Sequence, residues 1–299
     1  MKSTSDRLNL PPVPAIVVAI LSVQGGAALA KGLFPALGAV GTVGLRIGLS
    51  AAILLAVFRP PLGRMSAAQW RAVIPYGMVL GVMNLVFYSS LARIPLGLAV
   101  TLEFIGPLGV AVFGSRKAID VVWGLLAAVG VVLITPWAGG GVDPSGVLFA
   151  LAAGACWAAY ILLGGRVSRL LPSGAAVSTG MLVGALTAVP IAAALGGFAN
   201  LTPVLFAAGF GVALLSSAIP YTLEMIALKA LPARTFGILM SLEPAIGALV
   251  GLIALKEILS PTQWLAVALV CGASAGSTLT SRKAAPPPEP EVAEGANVG

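Results

Sequence analysis

Continuous apolar stretches approaching 20 residues recur along this chain, as from Ala15 to Ala30 and from Val121 to Pro136. They are apolar on both helix faces, which leaves no side suited to water. In lipid, a helix satisfies its own backbone hydrogen bonds within one segment. A membrane barrel would instead show alternating segments of about 10 residues, and these stretches do not alternate. The expected fold is therefore an all-α membrane protein. The rest of the chain agrees: 59% of the residues are hydrophobic and 9% charged, against about 45–50% and about 25% in soluble domains. That balance excludes an ordinary soluble enzyme, a disordered chain and a secreted disulfide scaffold.

Ten spans are predicted, near residues 14–34, 38–58, 72–92, 95–114, 119–137, 146–166, 174–195, 203–227, 233–254 and 262–280. At about 20 residues per span they leave only short connections. Lys2 and Arg7 before the first span resemble a signal-peptide start, yet the run continues to Phe34 and nine more follow, so it is read as a retained helix. Basic residues concentrate on the cytoplasmic side of membrane proteins. With the N-terminus (residues 1–13) in the cytoplasm, 13 Lys and Arg fall on that side and three, Lys31, Arg93 and Lys256, on the other. Both termini are thus expected in the cytoplasm. The same bias accounts for the net charge of +7 without nucleic acid as a partner. Residues 281–299 carry Pro286-Pro287-Pro288 and several glutamates, a composition that predicts a disordered cytoplasmic tail.

Leu91–Pro107 aligns with Leu228–Pro244 at a constant offset of 137, with Pro95/Pro232 and Pro107/Pro244 in register. Five spans lie on each side of the midpoint. An odd-numbered repeat must invert, so the expectation is ten transmembrane helices as two inverted five-helix repeats, residues 14–137 and 146–280. That plan recurs in secondary transporters, with the substrate site at the repeat interface near the midplane.

Ionisable groups deep in lipid are costly, about 2.5–3.5 kcal/mol each on insertion scales, so they are rarely idle. Here they are Arg46, Glu103, Glu224 and Glu243. Glu103 and Glu243 sit near mid-span at similar depth in corresponding helices; Glu224 is about one turn from the cytoplasmic end. Arg46 offers a bidentate partner for a substrate carboxylate and a glutamate a partner for an ammonium group. The structural alternative is an ion pair between Arg46 and one of these acids. Lys31, one turn from the outer end, can snorkel. Pro107, Pro220 and Pro244 cannot donate to the carbonyls of Glu103, Ser216 and Met240. Three prolines near glutamates point to a polar central cavity.

Gln24, Asn84, Tyr88, Ser89, Trp157 and Tyr160 are further polar candidates for its lining, although each taken alone reads first as a helix–helix contact. Pairs such as Gly77-x3-Gly81 and Gly180-x3-Gly184 read as close helix packing. The chain has no histidine, and Cys156 and Cys271 lack metal-ligand spacing, so no metal or other cofactor is expected and the thiols read as buried and inert. No Walker lysine follows Gly139-Gly140-Gly141, so no ATPase subunit is implied.

Five strings carry a family resemblance: residues 22–31, residues 95–107, Gly154-Ala-Cys-Trp157-Ala-Ala-Tyr160, residues 220–228, and Arg234 to Pro244. With the Lys256-Glu257-x5-Gln263 run before the last span, they resemble the EamA branch of the drug/metabolite transporter superfamily. The resemblance implies two EamA-type repeats in a bacterial inner membrane. It also implies export of small neutral amino acids of the threonine and homoserine kind, by proton antiport. The implied partners are a small zwitterionic metabolite, protons and membrane lipid, with a homodimer left open. In this expectation Glu103, Glu243 and Glu224 couple to protons. The rivals are an exporter of another metabolite or drug on the same fold, an integral-membrane lipid-modifying enzyme, and a passive channel.

Overall fold

The computed structural model describes residues 11–113, 118–134, 142–220, 223, 236 and 239–280. Every regular element among them is helical. Glu224, the Gly139–Gly141 stretch, the tail and residues 1–10 lie outside the described residues.

The first helix, α1 (Pro12–Phe58), has 47 residues and Pro at its start, and is broken at Gly38. A straight helix of that length would run about 70 Å, more than twice the roughly 30 Å hydrocarbon core. It does not run straight. Ser22 and Ser50 are 28 residues apart, about 42 Å along a rod, yet they bond Leu215 and Ser217, two residues apart. The chain therefore folds back at Gly38, whose φ of 65° and ψ of 170° belong to a region almost exclusive to glycine.

Helix α2 (Ala67–Leu91) starts five residues before the expected 72. The reason is local: Ser66 and Gln69 form a reciprocal capping box that satisfies two otherwise orphaned backbone donors. Next come α3 (Leu96–Glu103), α4 (Ile105–Phe113) and α5 (Ala118–Ile134). The expected span 95–114 is thus two helices broken at Phe104. Asp143 caps α6 (Pro144–Val167), accepting from the backbone and hydroxyl of Ser145 at 2.8 and 2.7 Å. Those bonds hold its carboxyl below the usual range. Helix α7 (Ser173–Ala194) is followed by α8 (Pro203–Ala213), which passes into a π-helical segment, Leu214–Ala218. The last two are α9 (Glu243–Leu255) and α10 (Pro261–Thr280). Within the expected span 233–254, a turn at Ser241 and Leu242 precedes α9.

Four of these helices, α1, α2, α6 and α7, are long and apolar enough to cross a membrane by length and composition. Large apolar side chains face outward, as Val121, Leu125, Val129 and Val132 do on α5. In water such a face would be a liability; in lipid it is the matching surface.

Small residues set the helix contacts. A Cβ on Gly77 would lie 2.6 Å from the Gly180 carbonyl oxygen, and one on Gly81 2.8 Å from that of Gly184, so the two glycine pairs of α2 and α7 face each other. Gly154 of α6 lies against the Glu103 carbonyl, where a Cβ would come within 2.8 Å. Gly272, of the pair Gly272-x3-Gly276, has nothing among the described residues within 4 Å of a Cβ position and makes no such contact with them.

Candidate functional site

A cavity of about 260 Å³ lies between α1, α2, α3, α6, α7, the π segment and α9. Gln24 and Arg46 reach it from the two arms of α1. Asn84 and Tyr88, one turn apart on α2, share another wall. Glu103 enters from the end of α3, Trp157 and Tyr160 from α6, and Glu243 from the start of α9. These eight polar candidates share one space. Ser89 does not join them; its hydroxyl bonds back to the Leu85 carbonyl at 2.8 Å.

The two acids sit at interruptions rather than in continuous spans. Glu103 is the last residue of α3, just before the break at Phe104, and Glu243 is the first of α9, just after the turn. The prolines do this. Pro107 withholds a donor from the Glu103 carbonyl, and Pro244 one from the Met240 carbonyl. Glu103 and Glu243 are each 8% exposed. Gln24 donates to Glu243 Oε1 at 3.3 Å. No hydrogen bond or ion pair holds the Glu103 side chain among the described residues.

Arg46 does not pair with either acid. Its Nη1 donates to Asn84 Oδ1 at 2.9 Å and to the Tyr88 hydroxyl at 3.1 Å, and its guanidinium lies 5.3 Å from the Tyr88 ring centre. Asn84 is in turn fixed by donating to the Leu80 carbonyl. The buried Arg46 Nε has no hydrogen-bond partner among the described residues. The guanidinium is therefore oriented by neutral hydrogen-bonding groups rather than by a direct ion pair. Tyr160 stacks on Tyr76 with ring centres 4.6 Å apart and hydroxyls bonded at 2.6 Å; Trp157 meets Phe104 edge-on.

Lys31 departs from the snorkelling expectation. Its Nζ bonds Glu257 Oε1 at 2.5 Å and the Ile94 carbonyl at 3.2 Å, with the pair only 18% and 15% exposed. Glu257 Oε2 accepts from the Leu96 backbone, the first residue of α3, at 2.7 Å. Cys156 and Cys271 are free and half-buried rather than fully buried. Among the described residues no three Cys, Asp or Glu side chains converge as a metal site needs.

Two features went unread in the sequence. One is the Lys31–Glu257 pair, whose partners are 226 residues apart. The other is Ser216, which lines the cavity from the π segment; the proline four residues on, Pro220, was the signal available.

A model of the EamA-like transporter family matches residues 144–279. The threonine/homoserine exporter RhtA of Escherichia coli (strain K12) is 48% identical over 274 residues, covering 91% of this chain and 92% of its own. The threonine/homoserine exporter RhtA of Salmonella typhimurium (strain LT2) is 45% identical over 283 residues, 94% of each. One solved crystal structure, 22% identical, matches 89% of this chain and 96% of its own with a TM-score of 0.58, a likeness of fold.

Proposed function

Since the chain belongs to the EamA-like transporter family, and is thus a multi-pass membrane transporter rather than an enzyme, we propose that it exports small neutral amino acids of the threonine and homoserine type from the bacterial cytoplasm, in exchange for protons. One observation carries this reading: a single small cavity collects one guanidinium and two carboxyl side chains. An amino acid stripped of water needs partners for both an ammonium and a carboxylate group. Arg46 takes the carboxylate; Glu103 or Glu243 takes the ammonium. At about 260 Å³ the space falls below the roughly 300–1,000 Å³ of drug-sized sites. That favours an amino acid over a drug as cargo.

A carboxylate can hold an ammonium group or a proton, not both. Competition for Glu103 therefore yields antiport: a proton entering from outside displaces the cargo outward. Glu243 is the second candidate, since its bond from Gln24 also serves structure. Glu224 remains a candidate from its position in the sequence.

The proposed architecture is ten transmembrane helices in two inverted five-helix repeats. Its support is the reciprocal packing of the halves: α2 on α6, α1 on α7 and α8, α3 on α9, and α5 on α10. The two acids at helix breaks fit the discontinuous helices of such transporters.

Counterflow in vesicles tests the cargo. Protein loaded with unlabelled threonine should accumulate labelled threonine and homoserine, and not labelled sugars or cationic drugs. Accumulation of a sugar or drug instead would overturn the cargo while leaving a transporter.

The proposed orientation, both termini in the inner-membrane cytoplasmic space, rests on the 13-to-3 basic bias. In a protein lacking Cys156 and Cys271, an impermeant maleimide should label Gly140→Cys in intact cells. Ser168→Cys should label only after permeabilisation. Labelling of both from the periplasm would refute it.

A further inference from the structure

We propose that Ser216 is the residue that reads the hydroxyl group of the cargo, an inference resting on the amino-acid reading above. The π turn of Leu214–Ala218, in which Ile219 N–H donates to the Leu214 carbonyl, is a rare geometry that recurs at functional sites. Both neighbours of Ser216 are tied down by α1. The Leu215 carbonyl accepts from Ser22 Oγ at 2.7 Å, and Ser217 Oγ, fully buried, donates to Ser50 Oγ at 2.7 Å. Between these two anchors Ser216 faces the cavity, and no hydrogen bond engages its hydroxyl among the described residues. Gly26 makes room for it, since a Cβ there would meet Ser216 Oγ and come within 3.2 Å of Leu215 Cβ.

Of the other neutral polar side chains lining the cavity, the Trp157 indole can donate a hydrogen bond but not accept one, and the rest are engaged. The Tyr76 and Tyr160 hydroxyls bond each other, Asn84 bonds Arg46 and Leu80, Gln24 donates to Glu243, and the Tyr88 hydroxyl accepts from Arg46. The charged groups answer the ammonium and carboxylate shared by all amino acids. Threonine and homoserine differ from their neighbours by an alcohol, and a rigidly held serine offers one donor and two acceptor lone pairs. A site that bonds a hydroxyl discriminates against the analogue lacking it.

2-Aminobutyrate is the deoxy counterpart of both threonine and homoserine, so it isolates that one group. Transport efficiency for the three should be measured with the full-length protein in proteoliposomes. A neutral hydrogen bond predicts that wild type favours the two alcohols by about 3–10-fold. Ser216→Ala should lose that factor for threonine and homoserine, keep 2-aminobutyrate within about twofold, and so flatten the ratio. Equal losses on all three would mean that Ser216 only supports the helix, and overturn the proposal. No loss on any would overturn it too. A wild type that moves none of the three overturns the cargo reading and this proposal with it; unchanged ratios in an active protein overturn the proposal alone.

Discussion

Glu103→Gln is expected to insert and fold normally and to lose efflux driven by a pH gradient altogether. Folding survives because no hydrogen bond or ion pair among the described residues depends on that carboxylate, and glutamine keeps its volume. Coupling is lost because an amide takes up no proton. Affinity should fall as well: a hydrogen bond to a charged group contributes about 1.5–3 kcal/mol, so exchange of threonine weakens by about 10–100-fold. The measurement is efflux from vesicles with and without an imposed gradient, at matched expression. Full gradient-driven efflux would remove Glu103 from the mechanism and transfer its role to Glu243. Glu243→Gln should also keep the fold, since an amide oxygen still accepts from Gln24.

Lys31→Met is expected to lower the thermal midpoint of the detergent-purified protein by several degrees. It leaves the Glu257 carboxylate without its cation. Removing one partner of a buried pair costs about 3–5 kcal/mol; exposures of 18% and 15% place this case near the lower end, at about 3 kcal/mol. The double variant Lys31→Met with Glu257→Gln should recover at least half of the loss. It leaves no unpaired charge, and its amide oxygen still accepts from Leu96. A single variant within about 1 °C of wild type would show that the pair contributes nothing to stability. The same carboxylate also faces the first turn of α3, where a negative charge is favoured by the helix dipole.

The polar lining of the cavity was legible in the sequence because lipid tolerates few idle polar groups. Eight polar residues picked out for their depth in apolar runs meet in one space. Arg46 shows where that reading stops. Its charge and depth were visible, but its partners are Asn84 and Tyr88 rather than an acid, a matter of which helix faces which. The early start of α2 was written in Ser66-x-x-Gln69, and the same pattern at Ser260 and Gln263 opens α10. Nothing in Leu214-Leu-Ser-Ser-Ala218 announces a π turn, because its stabilising bonds come from Ser22 and Ser50 on a distant helix. The break at Phe104 was half visible: Pro107 marked a lost donor, but not where the helix would end.

Gly38 has a consequence for how this protein enters a bilayer. The reversal there is made by one residue, with no loop for a translocation machine to hold on the far side. In the proposed ten-helix arrangement the two arms of α1 cross as a helical hairpin, each sheltering the other while later helices are still being synthesised. Any side chain at position 38 would cost about 1–3 kcal/mol of backbone strain. It would fall on the first topological decision the nascent chain makes, before a packed interior exists to compensate for it.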